Sequence, residues 1–370
     1  MRQRRALRGL AVLLGLALVA AACGDDDDSS TSDTTEADGG GAAASDFKGC
    51  QVTDTGGVDD RSFNQTAYKG LQDAADQLGF EPAVLESQAE SDYAPNIQSF
   101  LDQGCDLIVT VGFLLGGATA DAALANPDRN FAIVDYDFSV AGGDAQDEFD
   151  NIKELTFSTD QAAFLAGYVA AAMSETGTVG TYGGINIPTV TIFMKGFQLG
   201  IEKYNEDNNA DVKLIGWDND ADDGLFTGDF EDQAKGRATT ESLLDQGADI
   251  IMPVAGPVGQ GTIEAIRARP DSNARVVWVD TDGCVSVPDD CDLFLTSVMK
   301  NMDVAVRDVT VDAAEGNFQG GLYVGTLEND GVALGPFNDF EDQVPDEVKS
   351  AVDDLRQQII DGDITTTPDG

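Results

Sequence analysis

From residue 47 onward, short uninterrupted apolar runs alternate with longer stretches in which apolar residues recur every three or four positions. The runs predict strands at 50–53, 82–85, 107–111, 131–134 and 153–157. Between them, Ala67, Leu71, Ala74, Ala75 and Leu78 share one face of a helix at 65–78 that Gly79 stops, and Tyr93, Ile97, Phe100 and Leu101 mark a second helix ending at Gly104. A third helix is expected at 116–125. The run 107–111, with no polar alternation, is what a parallel strand buried on both faces requires. The series then starts again. An Ala- and Leu-rich helix at 160–174 leads to strands at 178–182, 212–217, 250–254 and 294–298, with a helix at 233–244 and a closing helix at 345–360 that has Pro345 in its first turn and Gly362 beyond its end. Alternating strands and helices define an α/β chain with parallel sheets.

The second series is a copy of the first. SFLDQGCDLI at 99–108 returns as SLLDQGADII at 242–251, and Pro127-Asp128-Arg129-Asn130 before Val134-Asp135 returns as Pro270-Asp271-Ser272-Asn273 before Val279-Asp280. Lys69-Gly70-Leu71 parallels Lys195-Gly196-Phe197 in the same way. The spacing is far too long for a solenoid and indicates two βα lobes. The expected division is 47–175 for most of the first lobe, 176–280 for most of the second, and 281–370 for segments completing both. Two such lobes enclose a cleft. Asp135 and Asp280, at equivalent strand ends, either face that cleft as hydrogen-bond acceptors or cap the helices that follow.

The ends and the charge narrow the class. Arg2, Arg4, Arg5 and Arg8 precede an apolar run at 10–19, which makes 1–22 a secretory signal. The Ala20-Ala21-Ala22-Cys23-Gly24 that follows resembles a bacterial lipoprotein cleavage site, with Cys23 as the lipidated residue; cleavage that releases a soluble protein is the alternative. From there to residue 46 the chain is Asp, Ser, Thr, Gly and Ala, a disordered acidic spacer. A net charge of −46 makes nucleic acid a repelled partner. With no histidine in the chain, a Ser-His-Asp triad, a histidine base and a histidine-held metal are all excluded. Four cysteines follow Cys23. Cys284 and Cys291 bracket a short loop and Cys50 and Cys105 each start a strand, so disulfides or free buried thiols are both open.

Three places carry candidate chemistry. In 54–64, DTGGVDDRSFN, two glycines turn the chain off a strand, Asp60 or Ser62 can cap the next helix, and Phe63 and Asn64 stand at its mouth. Phe63 is either a ligand surface at a strand's carboxyl end or a staple for its own helix. The Gly-rich turn 255–261 lacks the spacing of a P-loop or a dinucleotide site, so it suits close backbone approach to an uncharged ligand, and no cofactor or metal is expected. Lys300, a rare cation, ends the strand of 294–298 and is a surface lysine or a cleft residue.

These motifs, with Leu165-Ala166-Gly167-Tyr168 and Ser297-Val298-Met299-Lys300, resemble the basic membrane protein family of lipoproteins, in order across about 47–360. The resemblance implies a type I periplasmic-binding-protein fold with a hinge, and a substrate-binding component that hands a purine nucleoside to an ABC permease. It implies a monomer, not an enzyme, tethered outside the cell membrane. Carried over by position, Phe63 stacks on the base, Asn64 and Asp135 bond its edge, and Asp280 and Lys300 hold the ribose beside Gly256. Met252 stands where many relatives have an aromatic second face for the base, which leaves a sugar or amino acid derivative open as ligand; a nucleoside-processing enzyme is the remoter alternative. Since these contacts lack histidine, the expected affinity is flat from about pH 6 to 8.

Overall fold

The computed structural model describes residues 46–140 and 149–368. Cys23, the leader at 1–22 and all but the last residue of the spacer lie outside them. The elements of the first half are β1 (Gly49–Thr53), α1 (Phe63–Leu78), β2 (Ala83–Leu85), α2 (Tyr93–Gln103), β3 (Leu107–Val111), α3 (Gly116–Ala125), β4 (Asn130–Val134) and β5 (Ile152–Phe157). Next come α4 (Thr159–Met173), β6 (Thr178–Gly183), α5 (Pro188–Asn208), β7 (Lys213–Ile215), β8 (Trp217–Asp218), β9 (Asp223–Gly224), α6 (Gln233–Asp245) and β10 (Ile250–Val254). The last are α7 (Gln260–Arg267), β11 (Arg275–Asp280), α8 (Gly283–Ser286), β12 (Phe294–Lys300), α9 (Met302–Ala314), β13 (Gly321–Gly325), β14 (Val332–Leu334) and α10 (Asp346–Ile360).

Two six-stranded sheets carry the two lobes, in the orders β13-β5-β4-β3-β1-β2 and β14-β12-β11-β10-β6-β7. Equivalent strands occupy equivalent places, as the internal copy requires. All pairings within the first sheet are parallel, and in the second only β12 with β14 is antiparallel. The run 107–111 is β3, buried at every position between β1 and β4. Cys50 is disulfide-bonded to Cys105 and Cys284 to Cys291.

The chain passes between the lobes three times: from β5 into α4, from β12 into α9, and from β13 into β14. Backbone bonds lace these passages together, Ser158 N–H to Gly325 O at 2.8 Å and Asn301 N–H to Gly331 O at 2.9 Å. The first passage precedes α4, so the lobe boundary expected near 175 moves to residue 158. The reason lies in packing. α4 lies against α5, β12 and β14 of the second lobe, and its crossing with α5 is so close that a Cβ on Gly200 would sit 1.9 Å from Phe164 O and one on Gly167 2.1 Å from Phe197 O. This crossing seats the N-terminal end of α5 at the mouth of the cleft.

Candidate functional site

The carboxyl ends of the central strands of both sheets meet at one cavity, the place where open α/β sheets hold ligands. Asp54, Gly112 and Asp135 follow β1, β3 and β4, while Val254, Asp280 and Lys300 end β10, β11 and β12; all six line it. Phe63 and Asn64 open α1 on the first-lobe side, and Gly256 turns off β10 on the second. Of the seven ligand residues expected from the sequence, six therefore converge.

Met252 does not. It is fully buried in the core, two residues before Val254 on the same face of β10, and its carbonyl accepts the Thr181 hydroxyl at 2.8 Å. At about 3.3 Å per residue, that sets it ~6.6 Å back from the strand end. Val254 takes the wall instead. The second lobe's aromatic surface comes from Phe230, in the segment between β9 and α6, whose ring lies so close over Gly184 that a Cβ there would be 2.3 Å away. Phe193 of α5 adds a further ring. Sequence reasoning missed both: Phe230 sits in an irregular run without periodicity, and Phe193 in a helix the hydrophobic pattern did not disclose.

The helix mouth resolves an ambiguity. Asp60 accepts the backbone N–H groups of Ser62, Asn64 and Gln65 at 3.0, 2.7 and 3.0 Å, so Asp60 and not Ser62 serves the start of α1. Ser62 is thereby free to cross the cleft, and its hydroxyl donates to Asp280 Oδ2 at 2.8 Å. The duplicated aspartates are equally specific. Asp135 and Asp280 both adopt left-handed backbone conformations, φ 66° and 69°, which cost a non-glycine residue of order 1–3 kcal/mol. Neither serves as a cap for the turn that follows: Asp282 accepts the Cys284 N–H at 2.9 Å and Asp137 the Ser139 N–H at 2.7 Å. Both aspartates point instead at Lys300, whose Nζ lies 2.6 Å from Asp135 Oδ2 and 3.7 Å from Asp280 Oδ1. The ammonium is also 5.0 Å from the centre of the Phe63 ring and 5.2 Å from that of Phe193, close enough for cation–π attraction.

One lysine against Asp54, Asp60, Asp135 and Asp280 leaves the site rich in buried carboxyls. Burial pushes Asp54 up from the ordinary 3.8 to about 8, against the lowering effect of the Asn64 amide, and Asp60 up to about 7 despite its three backbone donors. Burial also raises Asp135, with Lys300 opposing. With two carboxyls raised into the neutral range, the site is expected to respond to pH between 6 and 8, in place of the flat response expected from the lack of histidine. The consequence for stability has a definite sign. Above about pH 4 the unfolded chain has released protons that the folded chain keeps on Asp54 and Asp60, so their contribution to stability falls as pH rises from about 4 to 8. Urea unfolding is expected to show Asp54→Asn more stable than the parent at pH 8 and level with it at pH 4; no gain at pH 8 would contradict the burial of an uncompensated carboxylate.

Two parallel α/β lobes joined by three passages, with a polar and aromatic cavity at their facing strand ends, define the class of two-lobed solute-binding proteins. Residues 47–367 match the family described as ABC transporter substrate-binding protein PnrA-like (Bmp), and the chain belongs to that family. Its members are binding components of transporters, not enzymes. The chain is 33% identical to the ABC transporter nucleoside-binding protein BmpA of Lactococcus lactis, over 87% of this chain and 89% of that one. It is 33% identical to a CD4+ T-cell-stimulating antigen of Listeria monocytogenes, over 87% and 88%. Among solved structures, an ABC transporter solute-binding protein from Aeropyrum pernix superposes with a TM-score of 0.76 at 25% identity, covering 86% of this chain and 92% of that one.

Proposed function

We propose that this protein captures a purine nucleoside between its lobes by hinge closure and delivers it to an ABC permease, tethered to the outer face of the cell membrane through lipidated Cys23. The observation that carries the reading is that one aromatic ring from each lobe, Phe63 and Phe230, lines the same cavity as the polar groups of Asp54, Asn64, Asp135, Asp280 and Lys300. A planar base slides between the rings. Asp54 and Asn64 take its polar edge, with Asp135 alongside, and Asp280, Lys300 and the bare backbone at Gly256 take the ribose hydroxyls. The excess of carboxyls over Lys300 disfavours a phosphate, so a nucleoside suits the site better than a nucleotide. The name of the Lactococcus relative supports the same ligand class.

Thermal melting of the full chain against nucleosides, free bases, sugars and amino acids tests this. A ligand at about a hundred times its dissociation constant adds ~2.7 kcal/mol. A rise in Tm with adenosine or guanosine, the nucleoside being recovered intact, is the expected outcome. A rise only with a sugar or amino acid derivative would keep the transport role and discard the ligand.

A further inference from the structure

Asn64 is 1% exposed and its Nδ2 donates to Asp54 Oδ1 at 2.8 Å, the orientation an ionised Asp54 requires, since the reverse would set two oxygens against each other. Its Oδ1 is consequently left as a buried acceptor with no partner, which costs free energy until a donor arrives. Among the described residues, Asn64 supplies the one side-chain hydrogen bond to Asp54. The second carboxylate oxygen lies over Gly112, where φ is +118° and a Cβ would be only 2.5 Å from Oδ2. Both residues line the cavity and offer it one acceptor, Asn64 Oδ1, and one group, Asp54 Oδ2, whose character depends on a proton.

We propose that this proton selects the base: with it, the pair presents a donor beside an acceptor, and without it, two adjacent acceptors. The inference rests on the nucleoside reading above and deepens it. A 6-aminopurine shows N1 as acceptor beside the N6 amino donor, and so matches the protonated pair. A 2-amino-6-oxopurine shows the N1–H and N2–H donors side by side and matches the ionised pair, so its binding sends the Asp54 proton to solvent.

The surroundings favour the protonated form of the empty site. Asp60 from the turn before α1, Asp135 just after β4 and Asp280 from β11 all oppose a negative charge on Asp54, and Tyr93 of α2 stands nearby. Lys300 at the end of β12 is engaged by Asp135 and Asp280. Phe193 of α5, Phe113 and Phe230 bring no charge. Burial and these carboxyls together place Asp54 at about 8, so at pH 7 the empty site holds the proton.

Calorimetric titration of the full chain with adenosine and with guanosine between pH 6 and 9, in buffers of different ionisation heat, tests the proposal. Guanosine affinity is expected to rise about tenfold per pH unit up to about pH 8, with close to one proton released per ligand at pH 7. Adenosine affinity is expected to hold steady to about pH 7 and fall above pH 8. Asp54→Asn, which presents a permanent donor to the cavity, should remove the pH dependence of the ratio of the two affinities. A ratio of the two affinities that stays constant across pH, or guanosine binding without proton release, would overturn the proposal while leaving the nucleoside reading intact. Absence of binding by either nucleoside at every pH would overturn both. The proton count is read on the unaltered protein and does not depend on the variant folding.

Discussion

Replacing Lys300 with methionine is expected to destabilise the folded chain by about 3–5 kcal/mol at pH 8, the cost of stripping the partner from buried charge. Lys300 is 2% exposed and is the one cation within reach of Asp135 and Asp280 among the described residues. Methionine keeps the length of the side chain and its packing near Phe63, Phe157 and Phe193, so the loss isolates the charge. The orphaned carboxyls can escape by taking up protons, and the deficit is expected to shrink towards pH 5. Urea unfolding at the two pH values measures both statements. Adding Asp135→Asn to Lys300→Met should recover part of the loss, because one unpaired carboxylate is then gone. A pair of single variants whose costs simply add would show that the ion pair does not couple the strands it joins.

The second large effect concerns the ligand. Phe63→Ala and Phe230→Ala are each expected to weaken purine nucleoside binding by roughly 1–3 kcal/mol, on the scale of base–aromatic stacking, and together by about 2–6 kcal/mol. The two positions belong to different lobes. Phe63 opens α1 of the first, and Phe230 lies between β9 and α6 of the second. In the proposed pose their combined loss removes both faces of the slot that holds the base. Equilibrium titration of the single and double variants, with circular dichroism as a control for folding, checks the expectation. An unchanged affinity in a folded Phe63→Ala protein would return that ring to the role of a staple on its own helix.

The legibility of this chain varied with how local each cause was. β3 and β10 were visible residue for residue, because strands buried on both faces are written as unbroken apolar runs. The repeat of Asp135 at Asp280 points from the sequence alone to two lobes, and the two sheets place those aspartates at equivalent strand ends. α5, the longest helix described, was missed for the opposite reason. It opens Pro-Thr-Val-Thr-Ile-Phe, a β-branched run with weak helical preference, and tertiary packing on α4 through Gly196 and Gly200 overrides that preference. α9, β13 and β14 were missed too, being short or weakly patterned segments that take their place from the passages between lobes.

Within the site, Phe63, Asn64, Gly256, Asp135, Asp280 and Lys300 were legible because each ends a strand or opens a helix. Met252 was misplaced because its sequence neighbourhood says nothing about depth along β10. Phe230 was invisible because only the folded chain brings it over Gly184. The burial of Asp54 and Asp60 was likewise hidden, since a carboxyl's environment depends on which strand ends converge on it, and Asp54 draws its like-charged neighbours from both lobes.

The most direct test of the account is equilibrium titration of the full chain with guanosine and adenosine, set against ribose and the free bases. One nucleoside bound per chain, more tightly than either half of the molecule alone, is the predicted result, because the proposed pose sets the rings on the base and Lys300 with Asp280 on the ribose. Saturable binding of ribose or another sugar with no preference for a nucleoside would contradict it.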